Sequence, residues 1–284
     1  MFSYIILHYK NIKETIECLD YLKKNTSKES HIIVVDNNTL TSEEEKKIKK
    51  FTDDILKLDN NYGFAKANNK GIKYAEKKYN SDYYVVINND VFITQKTFEE
   101  SIIKNYKKYN FDMLGTKILS PSGESVNPFP AYKDLSEVKN EIKKCNKLKM
   151  IYNNSLLIWI LKNYIKIKHI IKKPILPTNG EKLEKNVPLH CCAIVFSKKY
   201  LKKYDYPFYN DTFLYHEEDF LYQRILKDKL ISIYDPTLEV YHKEGSSLNN
   251  LYKKSKDKLL FQINERLKSL ELLENFIEVA NEKK

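Results

Sequence analysis

Short apolar runs that end in polar residues are the feature of this sequence that most restricts its fold. Four of them lie in the first 90 residues, at 4–7, 31–35, 55–58 and 83–87, and segments with helical spacing such as 12–25 separate them. Alternation of this kind is typical of a doubly wound, mostly parallel sheet, in which strand carboxyl ends meet at one edge. We therefore expect an α/β fold with its ligand site at that edge.

The second half of the chain alternates less regularly. Helical spacing recurs at 96–109, 217–227 and 255–281, and strand-like runs lie at 113–119, 189–196, 230–234 and 238–241. Residues 135–173 are mostly helical in pattern and strongly basic. The pattern predicts one large domain over residues 1–247, with a basic helical insertion at 135–173 and a C-terminal helical extension over 248–284.

Composition and cysteine spacing indicate which binding partners and which cell compartment to expect. The 284 residues carry a net charge of +11, which favours an anionic partner, but acidic residues are interleaved and no nucleic-acid recognition motif is present. We expect no nucleic-acid partner. The four cysteines show no CxxC spacing, the first apolar run is too short for a signal peptide, and no run is long enough to span a membrane. These features predict a cytoplasmic protein with reduced thiols.

Polar residues at two strand ends are the first candidate site. Asp36 and Asp90 each follow a buried aliphatic run, where a carboxylate can accept from a ribose or hold a hard cation. Capping of the next helix is the alternative for either residue alone. Between them, residues 60–71 combine turn residues with a helix start, which suits close approach to a diphosphate.

An acidic run after an aromatic loop is the second candidate site. Glu217, Glu218 and Asp219 follow the aromatic segment 208–215, and a carboxylate there is a candidate general base. A capped surface helix with acids at its positive end is the alternative. His242 closes a predicted strand and is a candidate metal ligand beside Asp90, although a lone histidine is usually structural.

In order, these motifs resemble those of the family 2 glycosyltransferases with the GT-A fold. The likeness is greatest to the rhamnosyl-, galactosyl- and glucosyltransferase branch of bacterial polysaccharide assembly. It rests on residues 4–9 with 15–19, 34–37, 61–71, 87–90, 217–224 and 241–242, and so covers most of the chain. It implies a nucleotide-binding half over 1–95 and an acceptor half over 96–247.

The resemblance also implies roles for individual residues. The nucleotide base and ribose would contact Leu7, His8, Tyr9, Asp36 and Asn37. The rest of the donor pocket would be lined by Asn61, Gly63, Asn68, Asn88 and Asn89. Asn88-Asn89-Asp90 stands where the family carries an Asp-x-Asp metal motif, so Asp90, with His242, would bind Mg²⁺ or Mn²⁺. The implied donor is a UDP- or dTDP-linked sugar, and the implied acceptor a glycan, typically lipid-linked.

The catalytic base depends on the register of one motif. The family's Glu-Asp-x-Asp-x3-Arg pattern, aligned on Arg224, puts Glu218 on the base, with Phe220 in place of the second acid. A register that makes Asp219 the base stays open. An inverting transfer needs one such carboxylate and no protein nucleophile. A nucleotidyltransferase and a non-catalytic sugar-binding protein are the competing interpretations. The first would carry a glycine-rich loop after strand one, where this chain has no glycine before Gly63.

The basic insertion suggests where such an enzyme works. Residues 155–173 combine Trp159 and many aliphatic residues with five lysines. On a helix this composition is typical of an interfacial segment that binds an anionic membrane surface. We expect peripheral association with the inner face of the cell membrane, and a helix packed on the catalytic domain is the alternative.

Overall fold

A computed structural model describes residues 1–52, 54–121, 125–154, 181–243 and 256–282. Its strands are β1 (Phe2–His8), β2 (His31–Asp36), β3 (Ile55–Lys57), β4 (Tyr83–Asn88), β5 (Val91–Ile93), β6 (Met113–Leu119), β7 (Glu184–Lys185), β8 (Ala193–Ser197) and β9 (Ser232–His242). Its helices are α1 (Ile12–Asn25), α2 (Ser42–Ile48), α3 (Ala65–Tyr79), α4 (Phe98–Tyr109), α5 (Leu135–Asn153), α6 (Lys198–Leu201), α7 (Glu217–Asp228) and α8 (Lys256–Glu282).

All nine strands of the described residues belong to one sheet. Its order is β3-β2-β1-β4-β8-β6-β9-β5, and β7 also pairs with β9. The pairings make β1, β2, β3, β4, β6 and β9 run in one direction and β5, β7 and β8 in the other. The predicted α/β fold with a mostly parallel sheet is therefore confirmed.

Apolar side chains cover both faces of the sheet. Alternate residues of β1 point to opposite layers, so that Tyr4 and Ile6 lie in one core cluster and Ile5 in the other. Helices α1 and α4 pack on the first layer, whereas α3, α6 and α7 pack on the second. A third cluster joins α5 and α8 to Phe220 of α7. Phe220, which replaces an acid of the family motif, is therefore a core residue.

Several predicted elements differ in detail. The predicted strands 230–234 and 238–241 form the single strand β9, which shifts register against β6 between Thr116 and Lys117. The predicted strand 189–196 begins only at Ala193, because Cys191 and Cys192 lie in a turn that directs their backbone N–H groups to side chains. Strands β5 and β7 were not predicted, since three and two residues are too short to show periodicity.

The basic insertion is described only as far as Asn154. Helix α5 confirms its helical start, and residues 155–173 of the interfacial prediction lie outside the described residues. Within the described ranges, no helix combines the length and the apolar character needed to cross a bilayer.

Candidate functional site

Strand pairing brings the predicted site residues to one edge of the sheet. His8 lies opposite Asp36 in the β1–β2 pair, and Leu7 lies opposite Asn88 in the β1–β4 pair. The backbone N–H of Asn88 also donates to the Cys192 carbonyl at 2.9 Å, which brings the turn before β8 to the same edge. This edge, where the carboxyl ends of the parallel strands converge, is where a doubly wound sheet binds ligands.

The loop after β2 is held by a closed set of hydrogen bonds. One oxygen of Asp36, Oδ1, accepts from the backbone N–H groups of Thr39 and Leu40 at 2.8 and 3.1 Å. That oxygen therefore holds the loop between β2 and α2, whereas the next helix is capped by Thr41 and not by Asp36. We call Asp36, Asn37, Asn61 and Gly63 the Asn37 cluster.

The amide of Asn37 lies at the centre of this cluster. Its Nδ2 donates to Asn61 Oδ1 at 2.8 Å and to the Gly63 carbonyl at 3.1 Å, and its Oδ1 accepts from the Tyr62 N–H at 2.8 Å. Asn61 Oδ1 accepts a further bond from the Gly63 N–H at 3.0 Å. Asn37 and Asn61, predicted as ligand contacts, thus hold the loop in shape with these groups.

Gly63 lies against the aromatic loop. Its φ is +73°, and a Cβ built on it would fall 2.0 Å from the Phe213 carbonyl oxygen. The same carbonyl accepts from the Phe64 N–H at 2.8 Å. Only glycine fits this conformation and this approach. Residues 60–71 and 207–216, two separate motifs in the sequence, are therefore joined through their backbones.

Asn68 and its neighbour have different roles. Asn68 is fully buried and donates from Nδ2 to the Phe64 carbonyl at 3.0 Å, and its Oδ1 has no hydrogen-bond partner among the described residues. Asn69, which the sequence did not single out, exchanges two hydrogen bonds with the backbone of Phe208, at 2.9 and 3.0 Å. Asn69 thus adds a second connection between α3 and the aromatic loop.

His8 and Asn89 meet at one threonine of α1. Thr15 Oγ1 accepts from Asn89 Nδ2 at 3.0 Å, and it lies 2.7 Å from His8 Nδ1 and 3.1 Å from the Asn11 carbonyl oxygen. His8 Nε2 is buried and has no hydrogen-bond partner among the described residues. Burial lowers the pKa of His8, which favours its neutral form.

Asp90 and His242, predicted from two distant strands, lie together. Val91 pairs with His242 in the β5–β9 ladder, which places His242 Nε2 3.3 Å from Asp90 Oδ1. That buried oxygen accepts no hydrogen bond from the described residues.

Asp90 and His242 fit a cation whose remaining ligands come from water and the substrate. One carboxylate and one imidazole suit a divalent ion that takes its other ligands from water and a diphosphate. In the described ranges, no three His, Cys, Asp or Glu side chains form an all-protein metal cage.

Both oxygens of Asp219 are held by neighbouring groups at the start of α7. Its Oδ1 accepts from the Tyr132 N–H at 2.7 Å, and its Oδ2 lies 2.8 Å from Nδ1 of His216. Tyr215 and His216 both have left-handed backbones, with φ of +74° and +68°. Consecutive non-glycine residues of this kind are strained, and such strain is common at functional sites. Asp219 therefore fixes the turn through one contact at each of its oxygens.

Glu218 is joined to the sheet edge by one of its oxygens. Oε1 accepts from the Cys191 N–H at 3.1 Å and lies 3.5 Å from His190 Nδ1. Since the next residue, Cys192, accepts from the N–H of Asn88 at the end of β4, the carboxylate is held near that strand end. His190 and Cys191 were not predicted, and only a preference for polar residues at strand ends could have drawn attention to His190.

Glu217 and Arg224 have contrasting surroundings. Burial and the negative charge of Glu218 raise the pKa of Glu217, whose Oε1 is buried and meets no hydrogen-bond partner in the part of the chain that the structure describes. Arg224 Nη1 instead donates to Tyr200 Oη and to the carbonyls of Tyr206 and Pro207, at 2.6–2.9 Å. The motif arginine thus supports the aromatic loop through these bonds.

Unpaired buried polar atoms are concentrated in the predicted motifs. Of nine such side-chain atoms in the described residues, six belong to these motifs or to the aromatic loop 207–216: His8 Nε2, Asn68 Oδ1, Asp90 Oδ1, Tyr215 Oη, His216 Nε2 and Glu217 Oε1. Because most buried polar atoms in proteins are paired, unpaired ones call for an explanation. A ligand that completes these bonds is consistent with a binding site at this edge.

Comparison with known proteins identifies the family. Residues 3–204 match the model of glycosyl transferase family 2. The chain belongs to this family. The resemblance seen in the sequence motifs is thereby confirmed.

Individual relatives are more distant. The low-salt glycan biosynthesis hexosyltransferase Agl10 of Haloferax volcanii is 28% identical over 130 residues, which are 45% of this chain and 40% of that protein. S. aureus TarS 1–349 in complex with UDP-GlcNAc has a TM-score of 0.53 at 16% identity, over 88% of this chain and 61% of that one. The complex of TarS 1–349 with UDP has a TM-score of 0.52 at 15% identity, over 92% of this chain and 70% of that one. The chain spans less than two thirds of the first two of these relatives, and the structural matches confirm the GT-A fold alone.

Proposed function

We propose that this protein is an inverting glycosyltransferase. It moves a hexose or deoxyhexose from a UDP- or dTDP-linked donor to a hydroxyl of a glycan acceptor. The observation that carries the proposal is Glu218, a carboxylate held by the Cys191 N–H at the strand edge that also carries Asp36 and Asn88. Family membership, the hexosyltransferase relative and the UDP-GlcNAc complex of the structural neighbour support it.

Glu218 is the proposed general base. The bond from Cys191 uses Oε1 and fixes the carboxylate, so that Oε2 accepts the proton of the acceptor hydroxyl. The acceptor oxygen bonds to the anomeric carbon as the bond from that carbon to the diphosphate oxygen breaks. The nucleoside diphosphate leaves with the electron pair. No covalent bond to the protein forms, and the configuration at the anomeric carbon inverts.

The base and ribose of the donor are assigned to the first strand ends. The backbone of Leu7, His8 and Tyr9 and the carboxylate of Asp36 would receive them. Because Oδ1 of Asp36 already holds two backbone N–H groups, the ribose hydroxyl falls to Oδ2. Asn37, Asn61 and Gly63 support this pocket by shaping the loop, and the unpaired Oδ1 of Asn68 is available to a donor hydroxyl.

Asp90 and His242 would hold Mg²⁺ or Mn²⁺ beside the diphosphate. When bound, the cation offsets the negative charge that develops on the leaving group. The test is thermal unfolding with UDP and dTDP, with and without Mn²⁺. We expect nucleotide and metal together to stabilise the wild type more than either alone, and Asp90→Asn to lose the joint effect. A joint effect of equal size in Asp90→Asn would contradict this metal site.

A nucleotide-release assay tests the transferase activity itself. The purified protein is incubated with Mn²⁺ and UDP-glucose, UDP-galactose, UDP-GlcNAc or dTDP-rhamnose, and release is compared with that of Glu218→Gln. We expect release from at least one donor, because water replaces the acceptor slowly in such sites. The second candidate, a sugar-binding protein without activity, is favoured by the two asparagines in the metal motif. Stabilisation by a donor with no release from any donor would support it.

We also propose docking to an anionic membrane at the cytoplasmic face, where lipid-linked acceptors would lie. The end of α5 supports this role, because exposed Leu148 and Met150 lie beside exposed Lys143, Lys144 and Lys147. Residues 155–173 continue the same composition. Sedimentation with phosphatidylglycerol vesicles at low and high salt tests it. Binding should require the anionic lipid and be lost when Trp159 and its neighbouring lysines are replaced. Equal recovery in the supernatant with every lipid would contradict it.

A further inference from the structure

The turn that holds the proposed base contains a histidine with a defined protonation state. Nδ1 of His190 accepts from the backbone N–H of Cys192 at 3.1 Å. A ring nitrogen that accepts carries no proton, so the neutral ring of His190 is protonated on Nε2. Nδ1 therefore cannot donate to Glu218 Oε1, although the two atoms are 3.5 Å apart.

Two successive backbone N–H groups are divided between two acceptors in this turn. Cys191 donates to Glu218 Oε1 at 3.1 Å, and Cys192 donates to His190 Nδ1. The bond from residue 192 back to side chain 190 spans two residues, as in the turns that asparagine and aspartate side chains close. The direction of the Cys191 N–H therefore depends on the bond made by its neighbour.

The start of the turn is anchored independently. The His190 N–H donates to Asn127 Oδ1 at 2.7 Å, and Asn127, which is fully buried, donates from Nδ2 to the Thr116 carbonyl at 2.8 Å. The His190 ring also meets Phe129 edge to face, with centroids 5.2 Å apart. With its backbone and ring both held, the histidine is a rigid support for the turn.

We propose that His190 is a positioning residue for the base, which deepens the proposed function and rests on it. Its Nδ1 closes the turn 190–192 and thereby directs the Cys191 N–H at Glu218 Oε1. The carboxylate is then oriented with its other oxygen toward the acceptor hydroxyl. A displacement of about 1 Å in such an orienting group lowers turnover by up to about 10²-fold.

Two substitutions separate this role from general packing. In His190→Asn the side-chain acceptor stands at the same number of bonds from the backbone as Nδ1, so it can accept from Cys192. In His190→Gln the acceptor stands one carbon farther out, at the level of Nε2. We expect His190→Asn to keep at least half of the wild-type kcat for nucleotide release. His190→Gln should lose about tenfold in kcat with little change in KM.

A double-mutant cycle tests whether His190 acts through Glu218. In the Glu218→Gln background, His190→Gln should lower release no further, because the group it orients is gone. A full additional tenfold loss would overturn the proposal, and so would equal activity of the Asn and Gln variants at position 190.

A second measurement does not require activity. With ¹⁵N-cysteine, the protein gives one amide signal for each of its four cysteines, and Glu218→Gln identifies that of Cys191. We expect the Cys191 amide proton to move upfield in His190→Gln, where the bond to the carboxylate weakens, and to stay near its wild-type position in His190→Asn. An unmoved Cys191 signal in His190→Gln would overturn the role of His190. Absence of nucleotide release from wild type with the expected shifts would contradict only the proposed function.

Discussion

The Asn37 cluster and the acidic turn at the start of α7, residues 216–219, differ in how fully their side chains are bonded. In the Asn37 cluster, the amide nitrogen and oxygen of Asn37 and one oxygen of Asp36 all form hydrogen bonds with neighbouring groups. In the acidic turn, buried atoms of His216 and Glu217 have no hydrogen-bond partner within the described ranges. A saturated cluster stabilises a loop, whereas an unsaturated one retains capacity for a ligand. Substitutions should therefore lower stability in the first region and activity in the second.

The largest expected effect is on activity in the acidic turn. Glu218→Gln keeps the shape of the side chain and removes the proton acceptor, so kcat should fall by about 10²–10⁴ while donor binding is kept. Nucleotide release and donor-induced thermal stabilisation measure the two quantities. Asp219→Asn is the companion variant. If it abolishes turnover in folded protein while Glu218→Gln stays active, the base is Asp219.

The next effect is on stability in the Asn37 cluster. Gly63→Ala places a methyl group against the Phe213 carbonyl in a left-handed conformation, and we expect a loss of about 3–4 kcal/mol in the free energy of unfolding. Urea denaturation measures it. Asn80→Ala is the matched control, because Asn80 is also left-handed but exposed, and it should lose only about 1 kcal/mol. Equal losses would show that the contact with Phe213 is unimportant.

Asn37→Ala tests the same cluster without backbone strain. It removes three hydrogen bonds from a buried side chain and leaves partner groups unpaired, so we expect a loss of about 2–3 kcal/mol. The exposed Asn60, changed to alanine, should cost less than about 0.5 kcal/mol. A wild-type urea midpoint for Asn37→Ala would contradict the structural role given to this residue.

The smallest effect is a gain, and it depends on pH. Because the pKa of Glu217 is raised on folding, the folded chain holds a proton that the unfolded chain releases. Stability from this group is present at low pH and is lost as the pH rises from the ordinary carboxyl range through the raised pKa. Glu217→Gln should therefore be more stable than wild type near pH 8, by about 1 kcal/mol, with no gain near pH 4. Thermal unfolding at both pH values tests this, with exposed Glu100→Gln as a control that should show no such trend.

Prediction from sequence succeeded best where periodicity is local. The parallel half of the sheet and its helices were predicted to within a few residues, because each strand is buried on both faces and each helix carries one apolar face. Errors concern short or bent elements, such as β5, β7 and the division of β9 into two strands. These elements depend on their partners in the sheet and leave too short a pattern to detect.

In the candidate site, too, local features were predictable and distant contacts were not. The sequence by itself determined which polar residues lie at strand ends, so the motifs predicted a site at the sheet edge and named residues such as Asp36, Asp90 and Glu218. Only the tertiary structure decided how these side chains are bonded. It put His242 beside Asp90 and placed the two oxygens of Asp219 against Tyr132 and His216. It also placed His190 in the turn that holds Glu218. The physical reason is that these contacts join residues far apart in the chain, whereas helix and strand periodicity reports only on near neighbours.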